Sequence, residues 1–224
     1  MKIAHIISNK VWGGGEQYVY DLCSNLISDG HDVEIFTRPI PAIVGKVATL
    51  GVPIHDYSLK NILKLRDGIV HVHNFKDALK LAVAKKLTHS NIKIVVTRHL
   101  VRPAKTSRLY TWVYANVEKI IFVSDLARKA FLSSQPKVDE TKLCVVRNSI
   151  KTNDNANSFA VDDIKASLPN DTTILMYHGR IAKEKGLNVL IDAVARLKDI
   201  PYHLFLVGAG DAEYTNELKL QIAN

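Results

Sequence analysis

The stretch Lys2-Ile3-Ala4-His5-Ile6-Ile7-Ser8, the turn Val11-Trp12-Gly13-Gly14-Gly15 and the run Glu16–Ser28 together decide the fold. The first segment is apolar without alternation, the pattern of a strand buried on both faces. After the glycines, Val19, Leu22, Cys23, Leu26 and Ile27 recur at spacings of three and four, which predicts a helix with one apolar face. Gly30 stops that helix, and Asp32–Thr37 begins another strand. Strand, glycine turn, helix and strand in this order are a βαβ unit.

Outward from this unit the rhythm repeats. Val52–His55, Gly68–His73, Lys93–His99, Lys119–Val123 and Leu143–Val146 read as strands. Asn61–Leu65, Ala78–Leu87, Tyr110–Val117 and Ala127–Ser133 read as helices between them. The alternation predicts right-handed crossovers and an α/β, doubly wound parallel sheet over residues 1–150. From Asn148 to Pro169 the chain is rich in Asn, Asp, Ser and Thr, so residues 151–170 are expected to be a linker. Residues 171–224 resume with a strand at Thr173–His178, a helix at Gly186–Leu197, a strand at His203–Val207 and a helix at Asp211–Ile222. So small a sheet leaves both edges bare, which reads as the first part of a second domain in a chain cut short.

Composition narrows the class. In 224 residues, 47% are hydrophobic and 23% charged, enough to fill a core and unlike a disordered or collagenous chain. Two cysteines cannot make a disulfide framework and fit a reducing, cytoplasmic setting. No run approaches the length of a membrane span or a signal peptide's apolar region. The net charge of +8 is uneven, because residues 51–110 hold twelve Lys and Arg against three Asp. That asymmetry points to an anionic partner, either an acidic membrane surface or a phosphorylated substrate. Nucleic acid is not expected, since the chain has no finger spacing, no RNP-like motif and only 7% aromatic residues.

Ligands of open α/β sheets bind beyond the carboxyl ends of the strands. Gly13, Gly14 and Gly15 lie there, where small residues let backbone N–H groups approach a phosphate. They form neither a Walker A loop nor a GxGxxG turn. His71 and His73 share a strand face, and His99 ends the next strand, followed by Arg102 and Lys105. No cysteine or carboxylate completes a metal set around these histidines, so no metal is expected. His71 reads as packed, and His73 and His99 as polar contacts for substrate. Gly179-Arg180-Ile181-Ala182-Lys183-Glu184-Lys185-Gly186 joins a strand to a helix. Its Arg180 fork and Lys185 point charge at a helix N-terminus suit a diphosphate without a metal ion. Val207-Gly208-Ala209-Gly210-Asp211 falls short of a dinucleotide fingerprint, whose third glycine would stand where the chain has Glu213.

These motifs fall in a family order. Gly13-Gly14-Gly15-Glu16 and Asp29-Gly30-His31-Asp32-Val33 are followed by Asp67-Gly68-Ile69-Val70-His71-Val72-His73-Asn74 and Val96-Thr97-Arg98-His99. Ile121-Phe122-Val123-Ser124, Asn148-Ser149-Ile150, the Gly179–Gly186 turn and Val207-Gly208-Ala209-Gly210 continue the series. Over its whole length the chain resembles the retaining GT-B glycosyltransferases of family 4. The resemblance implies two Rossmann-like domains, a UDP- or GDP-sugar donor, a lipid-linked or glycan acceptor, and no cofactor or metal. It places Gly13, Gly14, Gly15, Gly179, Arg180, Lys185 and Gly186 at the donor diphosphate, with Gly208 and Gly210 near the nucleotide. His99 would be catalytic at the donor sugar, though not as a nucleophile, and Glu16, His73, Arg98, Arg102 and Lys105 would lie on the acceptor side. It implies a hexosyltransferase of cell-surface polysaccharide or lipopolysaccharide synthesis, peripheral at the inner face of the plasma membrane. The chain departs from the family at Ser149, where Asn-Gly is common, and lacks the family's paired glutamates within its 224 residues. The alternatives are an inactive membrane-surface or partner-binding module and another GT-B enzyme such as a nucleotide-sugar epimerase.

Overall fold

A computed structural model describes residues 1–149 and 158–223, and the chain divides into two compact units, Met1–Ile150 and Lys151–Asn224. In the first unit, seven strands form one sheet: β1 (Lys2–Ile7), β2 (Asp32–Thr37), β3 (Ile54–Asp56), β4 (Ile69–Val72), β5 (Lys93–Arg98), β6 (Lys119–Phe122) and β7 (Leu143–Val145). Every neighbouring pair is parallel, in the order β3-β2-β1-β4-β5-β6-β7. The winding reverses between β1 and β4, and that reversal opens a crevice at their carboxyl ends.

Six helices accompany these strands: α1 (Gly14–Ser28), α2 (Pro41–Ala48), α3 (Leu59–Ile62), α4 (Phe75–Thr88), α5 (Arg108–Asn116) and α6 (Asp125–Leu132). The two-residue period of the strands divides the interior into two cores. Ala4, Ile6 and Phe36 join Leu81, Tyr114 and Phe131, whereas Ile7, Val33 and Ile35 join Val19, Cys23, Ile43 and Val47. Each such buried aliphatic or aromatic side chain contributes about 1.5–3 kcal/mol relative to exposure. Burial of strands on both faces is why their sequences read as unbroken apolar runs.

Two helices were not legible as such. Helix α2 is eight residues long with Gly45 in its middle, but Pro41 starts it and Ile43 and Val47, one turn apart, are fully buried. Helix α7 (Ser158–Ala166) lies inside the expected linker, so part of residues 151–170 is helical. Its polar flanks obscured a short apolar spacing, in which Ile164 and Leu168 are half-buried. Residues 151–157 of that linker, and Ile150 of the Asn148-Ser149-Ile150 motif, lie outside the described residues.

The second unit continues with β8 (Thr173–His178), α8 (Leu187–Val194), β9 (Tyr202–Val207) and α9 (Ala212–Ala223). The two strands pair in parallel, from Thr173 against Tyr202 to His178 against Val207. Leu187, Ile191, Tyr214 and Leu218 make its small core. Among the described residues no helix is long and apolar enough to cross a membrane.

Candidate functional site

A cleft of about 580 Å³ opens in the first unit at the sheet's carboxyl edge. Ser8 and Asn9 reach it from the end of β1, Arg38 from β2, His73 and Asn74 from β4, and His99 from β5. At its floor Asp77, only 3% exposed, is a hydrogen-bond hub. Its carboxylate accepts from Ser8 Oγ, from the Tyr57 hydroxyl and from Asn74 Nδ2, the last at 2.6 Å, and Lys80 stands 3.7 Å away. The local cause is a helix start. Asn74 caps α4 by accepting the Asp77 N–H at 2.9 Å, and an acidic side chain in the first turn answers the helix dipole. One cap therefore ties β1, β4 and α4 together under the cleft.

Behind this floor lies a row of imidazoles. His5 and His71 are register partners across β1 and β4, with ring centroids 5.0 Å apart, and His73 lies two residues beyond His71 on the same face. His71 Nε2 meets Thr97 Oγ1 at 2.7 Å, and His73 Nδ1 meets His99 Nε2 at 3.3 Å. Tyr18 of α1 packs edge-on against His99 at 5.0 Å. Burial lowers the pKa of His5 to about 4, and burial followed by the neighbouring histidines holds His71 and His73 well below the ordinary value. Burial also lowers His99, with the Glu16 carboxylate pulling the other way. At neutral pH the row is uncharged, so His99 meets the cleft as a neutral hydrogen-bonding group. Ring nitrogens of His5, His71 and His73 lie within 4.8 Å of one another, close enough to share an ion.

His73, Arg98, His99, Arg102 and Lys105 all line the cleft. Arg98 has a second task. Its guanidinium donates to the carbonyls of Arg102 and Pro103 and sits 5.7 Å over Phe75 and 5.2 Å over Phe131. It thus holds the segment that carries Arg102 and Lys105. Glu16 is placed differently. It is 7% exposed, outside the cleft lining, and accepts the Gly13 N–H at 2.9 Å and an Asn9 side-chain N–H. Its carboxylate fixes the start of α1, while a Cβ at Gly14 or Gly15 would meet nothing within 4 Å. The first-turn N–H groups of such a helix have no intrahelical partner. Sequence reasoning missed Ser8, Arg38 and Asp77. The Asn74-x-x-Asp77 spacing before an apolar run was the available signal for the last.

In the second unit, the turns after β8 and β9 are zipped together. Gly179 N–H donates to Val207 at 3.0 Å, Ile181 N–H to Ala209 at 2.9 Å, and Ile181 bridges Gly210. A Cβ on Gly208 would stand 1.8 Å from the Gly179 carbonyl oxygen, and one on Gly210 2.1 Å from that of Ile181. Packing alone thus requires both glycines. Arg180 is 63% exposed and pairs with Glu184 one turn on, and Lys185 ends the short turn before Gly186, whose φ of 66° starts α8. Among the described residues Lys185 has no ion-pair partner. An exposed pair such as Arg180–Glu184 is worth little, so an incoming anion displaces Glu184 at small cost.

Family models match both units. One for Glycosyltransferase Family 4 covers residues 12–154, and one for Glycosyl transferases group 1 covers residues 160–224. A search of curated proteins found no match. Among solved structures, Anabaena Alr3699/HepE in complex with UDP-glucose is similar, with TM-score 0.76, 16% identity and coverage of 100% of this chain and 65% of that one. WaaG, a glycosyltransferase involved in lipopolysaccharide biosynthesis, matches with TM-score 0.62 and 14% identity over 99% of this chain and 67% of that one. A putative UDP-N-acetylglucosamine 2-epimerase from Listeria monocytogenes matches with TM-score 0.61 and 8% identity over 100% of this chain and 66% of that one. The chain thus spans about 65% of the HepE structure's length. At these identities the likeness is one of fold, the GT-B type.

Proposed function

The chain belongs to Glycosyltransferase Family 4, and on that premise we propose that it moves a sugar from a nucleotide-sugar donor to a glycan or lipid-linked acceptor, with retention at the anomeric carbon. The observation that carries the reading is the Arg180–Gly186 turn. It presents an arginine fork, a lysine with no ion-pair partner among the described residues and a left-handed glycine at the start of α8, in the unit matched by Glycosyl transferases group 1. As the glycosidic bond to the donor breaks, negative charge gathers on the leaving diphosphate. Arg180 and Lys185 supply the counter-charge, so the step calls on no metal. Within the second unit, Gly208 and Gly210 border the nucleotide, and within the first unit the start of α1 at Gly14 and Gly15 is a second place where backbone N–H groups suit a phosphate. In the first unit's own cleft, neutral His99 donates or accepts a hydrogen bond to a bound sugar without acting as a nucleophile.

HepE, solved with UDP-glucose and with UDP, supports a uridine diphosphate donor. The basic cleft supports an acceptor gathered at the cytoplasmic face of an anionic membrane. The test is UDP binding by calorimetry. Binding is expected in the wild type and lost in Arg180→Ala, whose exposed side chain leaves the fold intact. Equal binding in both proteins would remove the diphosphate role. Release of UDP from a UDP-sugar only when an acceptor is supplied separates transfer from epimerisation.

A further inference from the structure

Apart from Arg98, which holds its own loop, the cleft's cations are not consumed by the fold. Arg38, Lys76, Lys80, Arg98, Arg102 and Lys105 line it, against the single carboxylate of Asp77. Among the described residues only Lys80 of these six has an ion-pair partner, and that partner is Asp77. Asp77 in turn is buried beneath three other donors.

Several of these cations are also held in position before any ligand arrives. The Lys80 ammonium lies 4.7 Å from the Tyr57 ring and bonds its hydroxyl at 2.8 Å. Lys105 does the same on Tyr110, at 4.7 and 3.1 Å. Arg38 spends only its Nε, donating to the Ser8 carbonyl at 2.7 Å, which leaves its terminal nitrogens to the cleft. Arg98 fixes the carbonyls of Arg102 and Pro103 and with them the loop. Aromatic packing orders the stems without neutralising the heads. The imidazoles alongside are neutral and add no charge.

Resting on the glycosyltransferase reading, we propose that this cleft takes an acceptor bearing a phosphate group, seated between Arg38, Lys76, Arg102 and Lys105. A carboxylate brings one charge and two oxygens, which leaves most of these cations unmatched. A phosphate or diphosphate brings more charge and more acceptor oxygens for an arginine fork and lysine ammoniums. The volume of about 580 Å³ lies within the range for a small-molecule site and accommodates a phosphorylated sugar. Leu100 and Val101, 57% and 50% exposed, stand on the same loop, so the phosphate can come on a lipid-linked carrier or on a soluble sugar.

The test uses Lys76→Gln/Arg102→Gln, two exposed positions whose loss leaves the fold intact by circular dichroism. Inorganic pyrophosphate is titrated by calorimetry into proteins that all carry Arg180→Ala/Lys185→Ala, which silences the second unit's turn. In parallel, binding to phosphatidylglycerol/phosphatidylcholine vesicles is measured by flotation. Pyrophosphate affinity that falls about tenfold or more in the double glutamine variant supports the proposal with a soluble source. Vesicle binding that is lost in that variant and competed by pyrophosphate supports it with a lipid source. Absence of both bindings in the parent protein, or bindings unchanged in the variant, overturns it. UDP binding by the chain with Arg180 and Lys185 intact is recorded separately, so a failed donor site and a failed acceptor site give different results.

Discussion

His5 stands in β1 with no measurable exposure, and neither of its ring nitrogens has a hydrogen-bond partner among the described residues. Burial lowers its pKa from 6.5 to about 4. The folded first unit therefore keeps this imidazole neutral, whereas the unfolded chain takes up a proton below pH 6.5. Between those two values the unfolded state binds more protons, so stability is whole above pH 6.5 and falls as pH drops towards 4. Lowering the pH from 7 to 5 removes about 2 kcal/mol through His5 alone, and about 3 kcal/mol in full by lower pH. His71 and His73 are lowered for the same first reason and steepen the fall, as does His99 against the opposing pull of Glu16. Against a domain stability of roughly 5–15 kcal/mol, such a loss is large.

Urea unfolding at pH 7, 6 and 5 measures it. The only two tryptophans, Trp12 and Trp112, both lie in the first unit and report its transition. EDTA is included so that the three imidazoles hold no stray ion. In His5→Leu, which removes the titrating ring from its place beside His71 and His73, the loss between pH 7 and 5 should shrink by about 2 kcal/mol. Wild-type stability that is flat from pH 7 to 5, or a His5→Leu slope equal to the wild-type slope, would refute the reasoning.

Asp77→Ala strands the Ser8, Tyr57 and Asn74 donors in the cleft floor and should cost the first unit about 3 kcal/mol or more in urea unfolding, with Asp77→Asn recovering part of it. Gly208→Ala forces a methyl to within 1.8 Å of a backbone oxygen, so amide exchange protection in β8 and β9 should collapse; wild-type protection would contradict the packing role. Gly14→Ala, at the first residue of α1, meets open space and should raise the first unit's stability by about 0.4–1 kcal/mol in urea unfolding, chiefly by restricting the unfolded chain.

Most of the parallel sheet was legible because strands buried on both faces carry unbroken apolar runs such as Lys2–Ile7 and Lys93–Arg98. Short elements failed the same test. Helix α2 has only two deeply buried side chains, too few for a period to stand out, and α7 sits among Asn, Asp and Ser. In the cleft, His73 and His99 stand out in sequence because they follow strand ends, where ligands of open α/β sheets bind, whereas the acceptor-side reading of Arg98, Arg102 and Lys105 comes from the family resemblance. His5 escaped because its weight comes from standing beside His71, a register partner 66 residues on in sequence that no local pattern encodes. Asp77 escaped because an acidic residue early in a helix is ordinary, and only the folded chain brings Ser8 and Tyr57 to it.

Residue type at a strand end therefore says that a ligand or a tight contact is near, but not which. Gly14 and Gly208 both follow strands in sequence, yet one faces open space and the other lies against a carbonyl. Arg98 and Arg102 stand four residues apart in one basic segment, yet the first is bound to carbonyls between two phenylalanines and the second is exposed with no ion-pair partner among the described residues. The difference has a physical consequence. Removing the charge at Arg102 changes the field in the cleft and little else, whereas removing it at Arg98 also frees two carbonyls and the loop they belong to. The positive cleft thus rests on a cation that stabilises structure beneath cations that remain unspent, and the unspent ones are where an anionic ligand gains most.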